Sequence, residues 1–384
     1  MALPEYIKAL VNTNDNGNPG VEVKTLPFAR TFKVARLPAD HLVVKARAFG
    51  LNPTDWKLTI GDWAESAGTG KVVGYDMAGE VVAAGPDVHH LKVGDRIAVC
   101  QFGTYYQDNG AFADYSVVDS ALGFKLPESV PFEAGAALLV RLKLHRCTSR
   151  YLHTSQAGAY TAMQAIHGRL HIPLPSSGEK VNKTIVIWSA ASAVGHGAVQ
   201  LAVNAGLKVI AVASPRNHSN LRELGASACV DYKDADAVAK IKAAAGGRID
   251  FGIDCVGVDN SSDSTVAAMS EGGHLISIML ASSTALALAQ SKNIKVEFIL
   301  GGTLHGFEFN IAALGGQKVP VIPEDYALMK KWTSTEMPYL FERNALKAPK
   351  VRVMPGGLHG IANGLKIMRE GAYGAEKLVY SAQS

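Results

Sequence analysis

The 384-residue chain has no apolar run of the roughly 18 to 20 residues that a membrane-spanning helix requires. Its first ten residues carry Pro4 and Glu5 where a secretory signal would be apolar, so a cytoplasmic protein is expected. Cysteine is scarce and unpaired. Cys100, Cys147, Cys229 and Cys255 stand singly, which excludes a zinc ribbon or a disulfide framework and leaves reduced, mostly buried thiols. Charge is sparse too, at 19% of residues, and the formal net charge of +4 has a local source. Arg141, Lys143, Arg146 and Arg150 account for it within residues 141–157, a segment without Asp or Glu. The rest of the chain is neutral and offers no basic face to a nucleic acid. At this length two domains are expected.

What is present is organised around residues 184–195. Thr184-Ile185-Val186-Ile187-Trp188 is an unalternating strand pattern, as in a strand covered on both faces. Ser189-Ala190-Ala191-Ser192-Ala193-Val194-Gly195 follows with small residues, where a helix start must lie close to something bulky. Backbone N–H groups and the positive end of the helix dipole make such a start a site for a pyrophosphate. The helix stops at Gly206, and strand patterns recur at residues 207–213, 228–232, 249–257 and 272–278 with a helix closing at residues 221–226. This βαβ rhythm predicts a doubly wound parallel sheet.

Before it, from residue 42 on, short strands alternate with glycine turns, which predicts a barrel-like β domain. Asn52-Pro53-Thr54-Asp55-Trp56-Lys57 reads as a turn into a short helix, with Asp55 as a capping residue. After residue 320 the pattern gives a long helix near 325–340, a strand at 350–353, a helix at 357–370 and a strand at 377–380, expected to pack back on the first domain.

These residues carry a resemblance. Asn52-Pro53-x-Asp55, Gly74-x-Asp76-x-x-Gly79, Val93-Gly94-Asp95-Arg96, Gly110-Ala111-Phe112-Ala113-x-Tyr115, the turn 189–195 and Gly371-x-x-Gly374-x-Glu376-Lys377-Leu378-Val379 are similar to the medium-chain dehydrogenase/reductase superfamily. Ser214-Pro215-Arg216-Asn217 and Pro355-Gly356-Gly357-Leu358 resemble its zinc-free fungal branch of trans-acting enoyl reductases and ToxD-like proteins. The resemblance implies a GroES-like β-barrel catalytic domain over 1–175, completed by 320–384, and a Rossmann NADP-binding domain over 176–319. It also implies hydride transfer in the cleft between them.

Zinc is not expected. Asn52 stands where zinc members have a cysteine, Tyr75-Asp76 where they have His-Glu, and no cluster of four thiolates exists. His145, Cys147 and His153 could pose as ligands only within 141–157. For the cofactor, Ser189, Ala191, Ser192, Ala193, Val194 and Gly195 form the phosphate turn, although Ser192 and Ala193 replace usual glycines. After the second strand an NAD site wants a carboxylate for the ribose 2′-hydroxyl. Here Ser214 and Arg216 stand instead, beside Asn217, which favours the 2′-phosphate of NADPH. Tyr232 matches a tyrosine near the adenosine, Thr161 a threonine at the nicotinamide end, and Lys57 a lysine placed in the cleft of zinc-free enoyl reductases. An enolate forming during C=C reduction needs such a positive or donor group, and its α-carbon needs a proton.

The expected activity is NADPH-dependent reduction of an activated C=C bond, in trans on acyl chains carried by a fungal polyketide synthase. Two alternatives stay open: a free-standing quinone or alkenal reductase, and a non-catalytic nucleotide-binding relative impaired by the segment 141–157. Removing that segment joins Val140 to Gly158 in one helix pattern, which is how the family reads, so it is expected to be a translated intron. Sequencing the spliced transcript checks this; a message retaining those codons refutes it.

Overall fold

The computed structural model describes residues 3–15, 17–28, 37–61, 63–64, 69–103, 110–137, 156–258, 260–311, 317–343, 345–346, 351–373 and 376–382. The chain opens with an antiparallel hairpin, β1 (Tyr6–Asp15) and β2 (Asn18–Pro27), that the sequence pattern did not announce. Its outer strand is largely exposed, so it lacks a buried run. β3 (His41–Gly50) follows, then α1 (Pro53–Thr59), β4 (Asp76–Ala84), β5 (Arg96–Cys100), β6 (Tyr115–Asp119) and β7 (Gly123–Lys125). β3 is the hub of this sheet, pairing antiparallel with β4 and with β6. Gly79 lies where a Cβ would be 2.2 Å from the Lys45 carbonyl, which is why a glycine interrupts β4.

Two helices lead toward the second sheet. α2 (Phe132–Ala137) precedes the segment 138–155, which lies outside the described residues, as does most of the 141–157 insert with its His145, Cys147 and His153. α3 (Gln156–Met163) then runs into a π-helical turn, Gln164–Arg169. The second sheet contains β8 (Thr184–Trp188), α4 (Ala193–Asn204), β9 (Lys208–Val212), α5 (His218–Glu223), β10 (Ala228–Val230), α6 (Ala237–Ala245), β11 (Phe251–Asp254), α7 (Ser261–Ala268), β12 (His274–Ser277), α8 (Ser283–Ser291) and β13 (Lys295–Phe298). Strand order is β10-β9-β8-β11-β12-β13, all parallel, so the order reverses beside β8 and opens a crevice there. This is a doubly wound sheet. Ile185 and Ile187 of β8 belong to one buried cluster, Val186 and Trp188 to another on the opposite face, hence the unalternating pattern. The edge strand β13 is only half-buried and shows no comparable signal.

After β14 (Phe309–Ile311) and β15 (Gln317–Val319), α9 (Pro323–Lys331) passes through a π turn, Trp332–Glu336, into α10 (Met337–Glu342). β16 (Val351–Met354), α11 (Gly357–Arg369) and β17 (Lys377–Ser381) close the chain. β17 pairs parallel with β16 and antiparallel with β3, so the last strand lies in the first sheet, order β16-β17-β3-β4-β5-β7. The pairing carries Lys377 across the fold to Asn52 and Asp76.

Candidate active site

A cavity of about 560 Å³ lies between the two sheets, within the size range of small-molecule sites. Asn52 and Lys57 line it from α1 and its cap, Thr161 from α3, and Ser192, Ala193 and Val194 from the start of α4. A second cavity of about 290 Å³ is bordered by Ser189, Ala191, Ser214, Asn217 and Tyr232. The two share Val256 and flank the turn between β8 and α4. That turn is tight. Ser189 has φ +56, in the left-handed region, and a Cβ on Gly195 would meet the Ser189 carbonyl oxygen at 2.3 Å. Gly195 therefore lines neither cavity but lets the helix start close against the strand end. Ser192 caps α4, its Oγ accepting from the Gly195 N–H at 3.1 Å. Arg216 sits exposed in a 3₁₀ turn, Pro215–Asn217, between Ser214 and Asn217, and is not among the lining residues of the second cavity.

Lys57 is half-buried, its ammonium 4.7 Å from the Trp63 ring centre and 5.9 Å from that of Trp56. The indole faces hold the ammonium by cation–π attraction. Thr161 donates its hydroxyl hydrogen to the Ala157 carbonyl at 2.8 Å, leaving oxygen lone pairs as acceptors. The opposite wall is aromatic. Phe102 packs on Tyr75 at 5.4 Å, on His305 at 4.9 Å and on Phe309 at 5.1 Å, and all four residues line the cavity. Burial pushes His305 down to about 4, against backbone contacts with Gly302, Cys100 and Gly301, so its ring is neutral at pH 7.

Beneath the cavity lies a polar cluster that sequence reasoning passed over. Lys377 Nζ donates to Asn52 Oδ1 at 2.7 Å and to Asp76 Oδ2 at 2.9 Å, with Lys377 4% and Asp76 0% exposed. Asp55 accepts the Asn52 N–H at 2.6 Å, the capping role expected from its position. Burial raises its carboxyl from 3.8 to about 8, outweighing the Asn52 N–H and Lys377, which pull it down. Burial also pushes the Cys100 thiol well up, aided by Asp76, so it is protonated. The one signal in the sequence was a lysine heading the otherwise apolar run Leu378-Val379-Tyr380.

This donor set does not fit zinc. Asn52 and Asp76 already face an ammonium, and the Cys100 thiol is protonated, whereas zinc needs deprotonated, convergent ligands. Among the described residues no group of three or more His, Cys, Asp and Glu is placed to hold a metal ion. The phosphate turn, by contrast, fits a dinucleotide. A helix start held tight by a Cβ-free Gly195 sits beside two cavities that share Val256, at the reversal of strand order.

Fold and site together define a two-domain medium-chain dehydrogenase/reductase, a superfamily that works with a nicotinamide cofactor. Residues 38–128 match the alcohol dehydrogenase GroES-like domain family, and residues 193–308 the family described as zinc-binding dehydrogenase. The chain belongs, within this superfamily, to the trans-enoyl reductases. It is 31% identical to trans-enoyl reductase ACTTS2 of Alternaria alternata over 97% of its own length and 98% of that protein's. It is 30% identical to trans-enoyl reductase caaB of Aspergillus niger, covering 91% and 92% respectively. Among solved structures, the CurK enoyl reductase superposes with a TM-score of 0.68 at 18% identity, covering 98% of this chain and 99% of that one. The quinone oxidoreductase of Coxiella burnetii gives 0.65 at 22%, with the same coverage. At those identities the structures speak for the fold alone. Among the described residues no helix is long and apolar enough to cross a membrane.

Proposed function

We propose that the protein reduces the activated C=C bond of an enoyl thioester with NADPH, in the cytoplasm, acting in trans on acyl chains carried by a polyketide synthase. The observation that carries this reading is a single cavity bringing the helix start Ser192–Val194, Thr161 and Lys57 together against an aromatic wall. The bound cofactor supplies a hydride to the β-carbon. The residues do the rest. Backbone N–H groups at the start of α4 hold the pyrophosphate. Ser214 and Arg216 suit a 2′-phosphate, since no carboxylate follows β9 to repel it, while Asn217 and Tyr232 border the adenosine cavity. Thr161 offers acceptor lone pairs to the nicotinamide carboxamide. Lys57 steadies the charge that grows on the thioester oxygen, and the α-carbon then takes a proton from solvent.

Following NADPH consumption with an enoyl thioester, a quinone and an alkenal tests the reading. The thioester is expected to be reduced fastest, and faster still on an acyl carrier protein. Turnover of only the quinone or the alkenal refutes it. The Arg216→Ala variant is expected to raise KM for NADPH about 10-fold or more while leaving NADH almost unaffected, because charge-assisted contacts to a phosphate are worth about 1.5–3 kcal/mol. Equal effects on both cofactors would remove Arg216 from the site.

A further inference from the structure

Resting on that reading, the floor of the cavity supplies a second donor. Asn52 caps α1 directly after β3 and lines the cavity, while its carboxamide contacts the buried Lys377 behind it. An ammonium can only donate, so the atom facing Lys377 at 2.7 Å is the amide oxygen, and the amide orientation is fixed without ambiguity. The nitrogen is therefore turned away from Lys377. Its hydrogen bond among the described residues is a long 3.5 Å approach to the Gly50 carbonyl, which uses at most one of its two hydrogens. Drawing density toward the amide oxygen makes the Nδ2–H a stronger donor, as in any hydrogen-bonded chain at low dielectric. Asp76, on the other side of Lys377, balances the charge, so the floor is polarised without being a net cation that would trap anions.

We infer that Asn52 Nδ2 donates to the thioester carbonyl oxygen as the enolate forms, with Lys377 as the positioning residue that holds and polarises the amide. As the β-carbon accepts the hydride, the C=C electron pair moves to the α-carbon and oxygen. The negative charge is met by Asn52 from the floor and by Lys57 from α1. One proton then adds to the α-carbon, so hydride and proton complete the saturated thioester. The position that matches a zinc-ligating cysteine in zinc-dependent members thus carries a fixed hydrogen-bond donor. Such preorganised donors aimed at developing charge are a large term in catalysis.

The test compares wild type with Asn52→Leu and Asn52→Asp, the latter keeping a contact for Lys377 but no donor. Both are expected to bind NADPH with unchanged Kd and to lose about 10²-fold in kcat, the cost of one oxyanion donor. The primary isotope effect from deuterated NADPH should rise as hydride transfer becomes more limiting. With a carbonyl-labelled butyryl thioester bound, the infrared C=O band should move to higher frequency in both variants. A folded variant with kcat within about 3-fold of wild type and an unmoved band overturns the inference, against the 10²–10³-fold expected of an oxyanion donor. If wild type reduces only an alkenal or a quinone, the enoyl reading fails, and the same variants measured on that carbonyl substrate still decide the role of Asn52.

Discussion

Replacing Lys377 with methionine is expected to cost about 3–5 kcal/mol of stability, the range for removing one partner of a buried ion pair. The side chain has nearly the length of lysine, so packing changes little. What changes is the charge. Asp76, 0% exposed, loses its 2.9 Å ammonium partner, and Asn52 Oδ1 loses its donor. A buried carboxylate without its counter-charge and an amide oxygen without its donor each carry a desolvation penalty with no return. Urea unfolding of wild type, Lys377→Met, Asp76→Asn and the double variant measures this. The double variant should be more stable than Lys377→Met alone, because the uncompensated charge is gone. A cost below about 1 kcal/mol, or no recovery in the double variant, would mean that the pair does not hold the floor.

The second large effect is on pH dependence. The Asp55 carboxyl, raised to about 8 in the fold from 3.8, titrates far above its unfolded value. For an acid with a raised folded value, the stabilising contribution is fully present below the unfolded value and is lost as pH rises through the folded one. The loss amounts to about 1.4 kcal/mol per pH unit between about pH 4 and pH 8, and levels off above. The substitution Asp55→Asn mimics the protonated form and removes the titration, so the test is urea unfolding of this variant and wild type at pH 5, 6.5, 8 and 9. The stability difference between variant and wild type should move in the variant's favour by about 4 kcal/mol from pH 5 to pH 8 and stay nearly constant to pH 9. A difference independent of pH would show that Asp55 is ionised in the fold, carried by the Asn52 N–H and Lys377.

Legibility in the sequence followed how local each feature is. β8, α4 and the glycine stop at Gly206 were legible because a strand buried on both faces leaves an unbroken apolar run and a helix end needs a left-handed residue. The strands β2 and β13 were not, because half-exposed strands resemble loops in composition. Asp55 could be read as a cap because its partner, Asn52, is three residues away. The partners of Asp76 and Asn52 lie 301 and 325 residues along the chain, and no local pattern announces them.

From the sequence alone, hydrophobic periodicity and glycine turns indicated the two architectures, and several ordered motifs resembling the medium-chain dehydrogenase/reductases indicated the family. The tertiary structure decided the rest. It folded β17 back beside β3, brought Lys377 under Asn52, buried Asp55 until its carboxyl holds a proton, and set Lys57 against Trp63 at the cavity wall. Those are properties of burial and of long-range pairing. A side chain's proton and its donor geometry depend on what surrounds it in space.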